Sequence, residues 1–302
     1  MRPGRGAVGF VPPILAVPAV IGLALLVVPL GALVARVDWS TLWADITSPV
    51  ALDALWLSLR TGLVATVICV VLGVPLALVI ARSGPRVSAL LRVIVTVPLV
   101  LPPMVGGVAL LFLFGRTGPL GQALETWGIQ IPFSTTAVVI AQTFVALPFL
   151  VLALEGSMRT AGVEFERTAA TLGAGRWRIL WRVTLPLAAP GLIAGVILAF
   201  ARAIGEFGAT ALFAGNAPGV TQTMPLAIYT AFNGAGVSQG AAVALSLLAL
   251  LFDLSNEIQT VSASALINLL PTLFFVNAAT ISRSRPSSAS RPRSSPRCWS
   301  IC

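Results

Sequence analysis

The chain has 302 residues, of which 57% are hydrophobic and only 10% are charged. A soluble domain carries about a quarter charged residues, so this composition excludes a solvated globular protein and indicates a chain whose solvent is largely lipid. The formal net charge is +9, but the arginines that carry it are scattered between apolar runs, a pattern that predicts no nucleic-acid partner.

Six apolar segments of about twenty residues predict an all-α, polytopic membrane protein. Their bounds are 10–34, 55–80, 93–114, 135–154, 187–204 and 241–253. The first is too long for the apolar core of a signal peptide, so we expect an uncleaved helix after a short amino-terminal segment, 1–9. A further stretch, 261–280, contains Pro271 and Asn277. It is compatible with a seventh span, an interfacial segment or no stable span.

The distribution of arginine predicts the orientation of these spans. Arginines are concentrated before the first span, between the second and third, and between the fourth and fifth. Because positive residues are enriched in cytoplasmic segments, we expect these three segments, the first of which is the amino terminus, to face the cytoplasm.

The third predicted span contains an unusual break. Pro102 and Pro103 precede Gly106 and Gly107, and a helix broken there would expose unpaired backbone groups to lipid. Such a break is tolerated in two situations, as a kink packed on neighbouring helices or as the lining of a translocation pathway. The residues alone leave both open.

The carboxyl-terminal part departs from the rest of the chain. We interpret 10–253 as the transmembrane domain and 254–302 as an atypical extension, whose last part, 282–302, is rich in Ser, Arg and Pro. That composition cannot bury a core and predicts disorder. Its arginines could contact anionic lipid headgroups, but the favoured interpretation is an extension without a role, and an altered reading frame is one hypothesis for its origin.

The segment between the fourth and fifth spans, 155–186, is the most informative. It predicts a short helix over 163–172, ended by Gly173 and Gly175, and a second over 176–184 before Pro186 opens the next span. A short helix with small residues on one face fits a groove in a soluble partner. An amphipathic helix at the lipid headgroups is the alternative, and physical chemistry alone does not separate the two.

The same segment resembles the EAA loop of binding-protein-dependent ABC transporter permeases. The spacing from Gly173 to Leu185 and Pro186 fits that loop, with Val183 in place of its isoleucine. Of the Glu-Ala-Ala residues only the last, Ala169, matches outright, and the acidic residue is displaced by one position, to Glu166. The resemblance implies a helix that couples the membrane domain to an ATPase.

Four further segments resemble the molybdate permease subgroup, and the similarity extends over roughly residues 10 to 250. These segments are 99–107, 200–210, 214–219 and 221–229. The resemblance implies an ABC importer permease fold of about six transmembrane helices in a bacterial cytoplasmic membrane. It also implies a homodimer, a pair of cytoplasmic ATPase subunits and an extracytoplasmic oxyanion-binding protein.

The implied role is transport and not catalysis. No G-x-x-x-x-G-K-[ST] phosphate-binding sequence occurs, so we expect ATP and Mg²⁺ to bind the partner ATPase and no cofactor to bind this chain. The chain also has no histidine, and Cys69, Cys298 and Cys302 have neither metal nor disulfide spacing.

Two groups of residues follow as candidates. The expected coupling set is Glu166, Ala169, Ala170, Gly173, Leu185 and Pro186, and the translocation-pathway candidates are Pro102, Pro103, Arg202 and Glu206. Arg202 and Glu206 are four residues apart and share a helix face, so a structural ion pair is the favoured interpretation. A transient contact between Arg202 and an oxyanion is the alternative.

Three other functions remain to be weighed. A sulfate or tungstate permease of the same architecture fits the chemistry equally well, and only the subgroup resemblance favours molybdate. A membrane enzyme would need a polar constellation that this sequence does not offer. A membrane scaffold without transport activity would not need a loop with the EAA spacing.

Overall fold

The computed structural model describes residues 13–234 and 240–251, and all regular secondary structure in these residues is helical. A 3₁₀ turn at Pro13–Leu15 precedes the first helix. The helices are α1 Ala16–Ala35, α2 Leu42–Ile46, α3 Pro49–Arg82, α4 Pro85–Val100, α5 Pro103–Phe114, α6 Pro119–Glu125, α7 Thr135–Ala161, α8 Glu164–Thr171, α9 Arg176–Ile179, α10 Leu185–Ile204, α11 Gly208–Phe213, α12 Met224–Phe232 and α13 Gly240–Leu251.

The centre of the fold is a packed group of three long helices, α3, α7 and α10. Small side chains fill the space between them, so the backbones approach closely, as is usual where helices pack in lipid. Ala65 and Cys69 from α3 meet Ala146 from α7 and Ala199 and Ala203 from α10, and all five are buried. The fold thus places the ends of these three helices next to one another.

The predicted spans are present as apolar helices, but their bounds differ. Four helices are long and apolar enough to cross a membrane in the described residues, or five if a bent pair counts as one span. The second and fourth spans are longer than predicted, as α3 and α7, because helices that continue into water keep their backbone hydrogen bonds. The sixth, α13, has the predicted start, while residues 252 and 253 lie outside the described residues.

The break predicted within the third span, 93–114, is present. The chain forms α4 and α5 there, and their axes differ by 110°. Leu101 and Pro102 between them have extended backbone, because a residue before proline is driven out of the helical region. We call Leu101 and Pro102 the elbow.

Small residues fix the direction of α5 beyond the elbow. A Cβ atom added to Gly107 would lie 2.8 Å from the carbonyl oxygen of Ala209, and one added to Gly208 would lie 2.8 Å from Cβ of Pro103. The short helix α11 therefore packs directly on α5.

The predicted loop 155–186 is shorter in the structure. Its first part belongs to α7, which continues to Ala161, and its last part belongs to one helix that runs over Arg176–Ile204. The second predicted helix, 176–184, is therefore not separate from the fifth span. Pro186 does not open a new helix, because a π-helical segment, Leu180–Thr184, precedes it. This wider turn lets the helix continue where a proline would otherwise obstruct it.

Three expectations fall on residues outside the described ones. They are the amino-terminal segment 1–9, the possible seventh segment 261–280, and the extension 254–302 with its tail at 282–302. They stay predictions.

Candidate functional site

The short helix α8 is tied to the end of the helical bundle by Glu166. Its Oε1 atom forms an ion pair with Arg82, the last residue of α3, and accepts a hydrogen bond of 2.7 Å from the hydroxyl of Thr184. The predicted helix over 163–172 is α8, one residue shorter at each end. Glu166 thus points to its own chain, and it joins α8 to α3 and to the π segment before α10.

Gly173 ends α8 in the way the sequence predicts. Its φ is +83°, a left-handed conformation that glycine adopts without a steric cost. The N–H of Gly173 donates to the carbonyl of Ala170, and the N–H of Ala174 donates to the carbonyl of Ala169, both at 3.0 Å. This pair of bonds is the Schellman arrangement of a helix end.

Gly175 does not share the conformation of Gly173. It has φ of −68° and precedes the helix that begins at Arg176, so its predicted role in ending α8 is wrong. The turn needs only one left-handed residue, and Gly173 supplies it.

Three large apolar side chains on α8, at its end and on α9 are exposed, among exposed charged and polar residues. The exposed fraction is 62% for Phe165, 83% for Leu172 and 75% for Trp177. Phe165 and Leu172 are seven residues apart and lie on one side of α8. We call these three residues the apolar knob. Ala169, by contrast, is half-buried, and Ala170 is exposed.

A second polar cluster joins α4 to α7 and was not found from the sequence. The carboxylate of Glu155, on α7, lies 2.5 Å from a guanidinium nitrogen of Arg92 on α4 and 2.5 Å from one of Arg159 on α7. Arg159 also donates to the hydroxyl of Ser88 at 2.6 Å. The side chain of Glu155 is only 4% exposed, so the two arginines neutralise a buried charge.

The predicted pathway residues lie around the elbow. A cavity of about 120 Å³ is bounded there by Pro98, Leu101 and Pro103, by Phe149 of α7, and by Arg202 of α10. We call it the elbow cavity. Pro102 shapes it from the adjacent backbone as part of the elbow.

Arg202 and Glu206 form the ion pair that their spacing predicts. A terminal nitrogen of Arg202 lies 2.7 Å from Oε2 of Glu206, and Oε1 of Glu206 accepts the N–H of Ala209 at 2.8 Å. The side chain of Glu206 is 1% exposed and that of Arg202 is 28% exposed. The carboxylate is thus enclosed, whereas part of the Arg202 side chain is exposed.

The structure separates the predicted site residues into two regions. Glu166, Ala169, Ala170 and Gly173 lie together on α8 and its turn. Leu185 and Pro186 follow the π segment, next to Thr184, which contacts Glu166. Of the pathway candidates, Pro103 and Arg202 line the elbow cavity, while Pro102 and Glu206 lie outside its lining. Arg82, Thr184 and Arg92 were missed because their partners are distant in the chain, whereas Glu155 was missed although Arg159 lies four residues further on the same helix.

A family model matches most of the described helices and the loop. The family described as "Binding-protein-dependent transport system inner membrane component" matches residues 73–264. The match includes the elbow, α8 and the ion pair of Arg202 and Glu206.

Curated relatives cover most of the chain. The molybdenum transport system permease protein ModB of Mycobacterium tuberculosis is 55% identical over 231 residues, which is 76% of this chain and 86% of the relative. The protein of the same name from Escherichia coli K12 is 41% identical over 208 residues, 67% of this chain and 91% of the relative.

Solved structures with a similar fold are also transporters. A bacterial ABC transporter involved in the import of the acidic polysaccharide alginate matches with a TM-score of 0.62 and 16% identity, over 82% of this chain and 93% of that one. The inward-facing MetNI methionine ABC transporter matches with a TM-score of 0.52 and 18% identity, over 70% of this chain and 95% of that one. These likenesses concern the fold alone.

Proposed function

Because the chain belongs to the family of binding-protein-dependent transport system inner membrane components, we propose that it is the transmembrane permease subunit of an ATP-driven importer of molybdate. The observation that carries the choice of molybdate is its 55% identity to a molybdenum transport system permease over 86% of that protein. The chain is a multi-pass membrane protein, and we place it in the bacterial cytoplasmic membrane.

In this proposal α8 is the contact with a cytoplasmic ATPase. The apolar knob consists of three large exposed apolar side chains that a groove in a soluble partner would bury, and such side chains favour contacts of this kind. Ala170 leaves room beside it for close approach. ATP and Mg²⁺ bind the ATPase, and this chain binds no cofactor.

The packing of α8 accounts for how movement of the ATPase would reach the membrane. α7 leads into α8 through Gly162, whose φ is +70°, and Glu166 connects α8 to α3 and to the π segment. All three central helices therefore meet at α8. A displacement of α8 would move their ends together, which is what alternation between inward- and outward-open states requires.

Selection among oxyanions belongs to another component in this proposal. An extracytoplasmic binding protein captures the anion and delivers it to a homodimer of this chain. A permease must release what it receives, so its own contacts with the anion are weak. Sulfate and tungstate have the same shape and charge as molybdate, and the experiment must separate the three.

The test is reconstitution in liposomes. The chain is purified with its ATPase, and uptake of molybdate, tungstate and sulfate is measured in the presence of the loaded binding protein and ATP. We expect molybdate uptake that depends on both partners, together with ATP hydrolysis that the loaded binding protein stimulates. Uptake of sulfate in preference to molybdate would reassign the substrate. A complex that assembles but neither transports nor stimulates hydrolysis would indicate a scaffold.

A further inference from the structure

Among the described residues, the lining of the elbow cavity is apolar apart from one charged side chain. Apart from Arg202 its described lining consists of apolar residues, among them Phe144 and Phe149 from α7, Leu101 from the elbow and Pro103 from α5. Arg202 is the one charged side chain in its lining within the described part of the chain. A water molecule needs about 10–15 Å³ of such space, so a cavity of about 120 Å³ has room for several waters or for one small polyatomic ion.

The partner of Arg202 does not cancel its field inside the cavity. Both oxygens of Glu206 are engaged outside it, one 2.7 Å from Arg202 and the other by the N–H of Ala209 at the start of α11. The Glu206 side chain is enclosed by protein and is absent from the cavity lining. Glu206 is thus held outside the cavity by protein contacts, and Arg202 is the charged residue that lines it.

The Arg202 guanidinium also has N–H groups that can donate hydrogen bonds to a ligand. Arginine carries five N–H groups in a planar fork, and the contact with Glu206 engages one terminal nitrogen. The side chain is 28% exposed and lines the cavity, and its other N–H groups are not committed to Glu206. A fork of this shape fits two oxygen atoms of one anion, which is why arginine recognises carboxylate, phosphate and related oxyanions.

The start of α5 also favours an anion in the cavity. α5 begins at Pro103 in the cavity wall, so the positive end of its helix dipole lies at the cavity. In transporters, interrupted helices direct such ends at anionic substrates. A cation would be repelled by both the guanidinium and the positive end of this dipole.

We propose that the elbow cavity is a transient binding site for a tetrahedral oxyanion, held by the free face of the Arg202 guanidinium while Glu206 fixes that side chain in place. The proposal deepens the proposed function and rests on it for the identity of the anion. The site is weak because a single arginine supplies the charge, so the ion can leave it when the helices move. A purely structural ion pair is the competing explanation.

The first test separates transport from structure. Arg202→Gln removes the charge and keeps a polar side chain, Arg202→Lys keeps the charge without the fork, and Arg36→Gln removes an exposed arginine far from the cavity. Each variant is reconstituted with its ATPase and binding protein. We expect Arg202→Gln to lower molybdate uptake about tenfold, as the loss of one charge-assisted contact implies, while binding-protein-stimulated ATP hydrolysis stays within about twofold. Arg202→Lys should recover part of the uptake, and Arg36→Gln should resemble the parent.

The second test measures occupancy of the cavity without transport. Leu101→Cys is introduced into a chain with Cys298→Ser and Cys302→Ser, and its labelling by N-ethylmaleimide is timed with and without molybdate at constant ionic strength. We expect molybdate to slow the labelling, and this protection to vanish when Arg202→Gln is added. A cysteine at Leu120, on α6 and outside the cavity, should show no protection.

The outcomes distinguish the two proposals. Protection at position 101 without uptake by the parent complex would keep the anion site and reject the proposed function. Normal uptake without protection would keep the proposed function and reject the anion site. The anion site is also rejected if uptake and ATP hydrolysis in Arg202→Gln fall in proportion with the amount of folded complex, because that result indicates a structural ion pair.

Discussion

Glu166 on α8 forms an ion pair with Arg82, the last residue of α3, although 84 positions separate the two in the chain. The same carboxylate oxygen accepts the hydroxyl of Thr184 from the π segment. One side chain therefore holds α8 against two of the three central helices. In the proposed importer this contact determines whether α8 moves with the membrane helices or independently of them.

Replacement of Glu166 by alanine should uncouple transport from ATP hydrolysis. The ion pair is partly exposed, so we expect a loss of only about 1 kcal/mol in stability. Molybdate uptake per ATP hydrolysed should fall more strongly, because α8 would lose its attachment to α3. The measurement is uptake and hydrolysis in the same liposomes. Glu164→Ala is the matched control, since Glu164 is 80% exposed and pairs only with exposed Arg167, 3.2 Å away. Equal coupling in the two variants would contradict the attachment.

Replacement of Gly173 by alanine should loosen the end of α8 through the backbone alone. No atom lies within 4 Å of an added Cβ, so the cost comes from the left-handed φ and amounts to about 1–2 kcal/mol locally. Gly175→Ala is the control, since it has equally free space and an ordinary φ. We expect hydrogen exchange over α8 to accelerate in Gly173→Ala and to stay unchanged in Gly175→Ala. Identical exchange in both variants would mean that the turn does not depend on glycine.

Replacement of Leu172 by serine should weaken association with the ATPase without affecting the fold. Leu172 is 83% exposed, so the substitution removes no internal packing, whereas burying a leucine against a partner contributes about 1.5–3 kcal/mol. We expect the dissociation constant of the ATPase complex to rise about tenfold or more and the unfolding temperature to stay constant. Leu120→Ser is the control, because Leu120 is also exposed but lies on α6. An unchanged dissociation constant would remove Leu172 from the interface.

The sequence predicted the helices well because lipid imposes a simple rule on them. Each apolar segment must satisfy its backbone internally, so composition alone locates the helices. Their ends were less predictable, because α3 and α7 continue past the apolar residues that mark the span. Two local features were also predictable, because each depends on residues within one or two helical turns. They are the end of α8 at Gly173 and the ion pair of Arg202 with Glu206.

Contacts between distant segments were not predictable in this way. Pro102 and Pro103 indicated an interruption, but the 110° angle depends on how α11 packs against Gly107. The partners of Glu155 and Glu166 come from α4 and α3, 63 and 84 positions away, and hydrophobic periodicity carries no information on such pairs. The resemblance placed Glu166 in the set expected to couple to an ATPase, and in the structure its carboxylate contacts Arg82 and Thr184 of its own chain.

Replacement of Gly107 by alanine should disturb the direction of α5. An added Cβ would lie 2.8 Å from the carbonyl oxygen and 2.9 Å from the Cα atom of Ala209, so two backbones must separate at a cost of about 1–3 kcal/mol. Gly106→Ala is the control, because its Cβ would meet only the Phe144 ring, at 3.2 Å, and that ring can turn aside. We expect a lower unfolding temperature in detergent for Gly107→Ala than for Gly106→Ala. The reverse order would contradict the packing of α11 on α5.

Removing the charge of Glu155 should lower the stability of the protein less than removing both arginines that pair with it. The Glu155 side chain is 4% exposed, while Arg92 is 46% exposed and Arg159 is 45% exposed, so only the carboxylate depends on its partners for solvation. Glu155→Gln leaves two arginines that water can reach and an amide that still accepts a hydrogen bond, so we expect a modest loss of stability. Arg92→Ala combined with Arg159→Ala leaves a buried charge unpaired, which costs about 3–5 kcal/mol. Each single arginine variant keeps one partner and should lie between these limits. Unfolding temperatures of the four variants in detergent give the order directly, and a double variant as stable as Glu155→Gln would show that water already solvates the carboxylate.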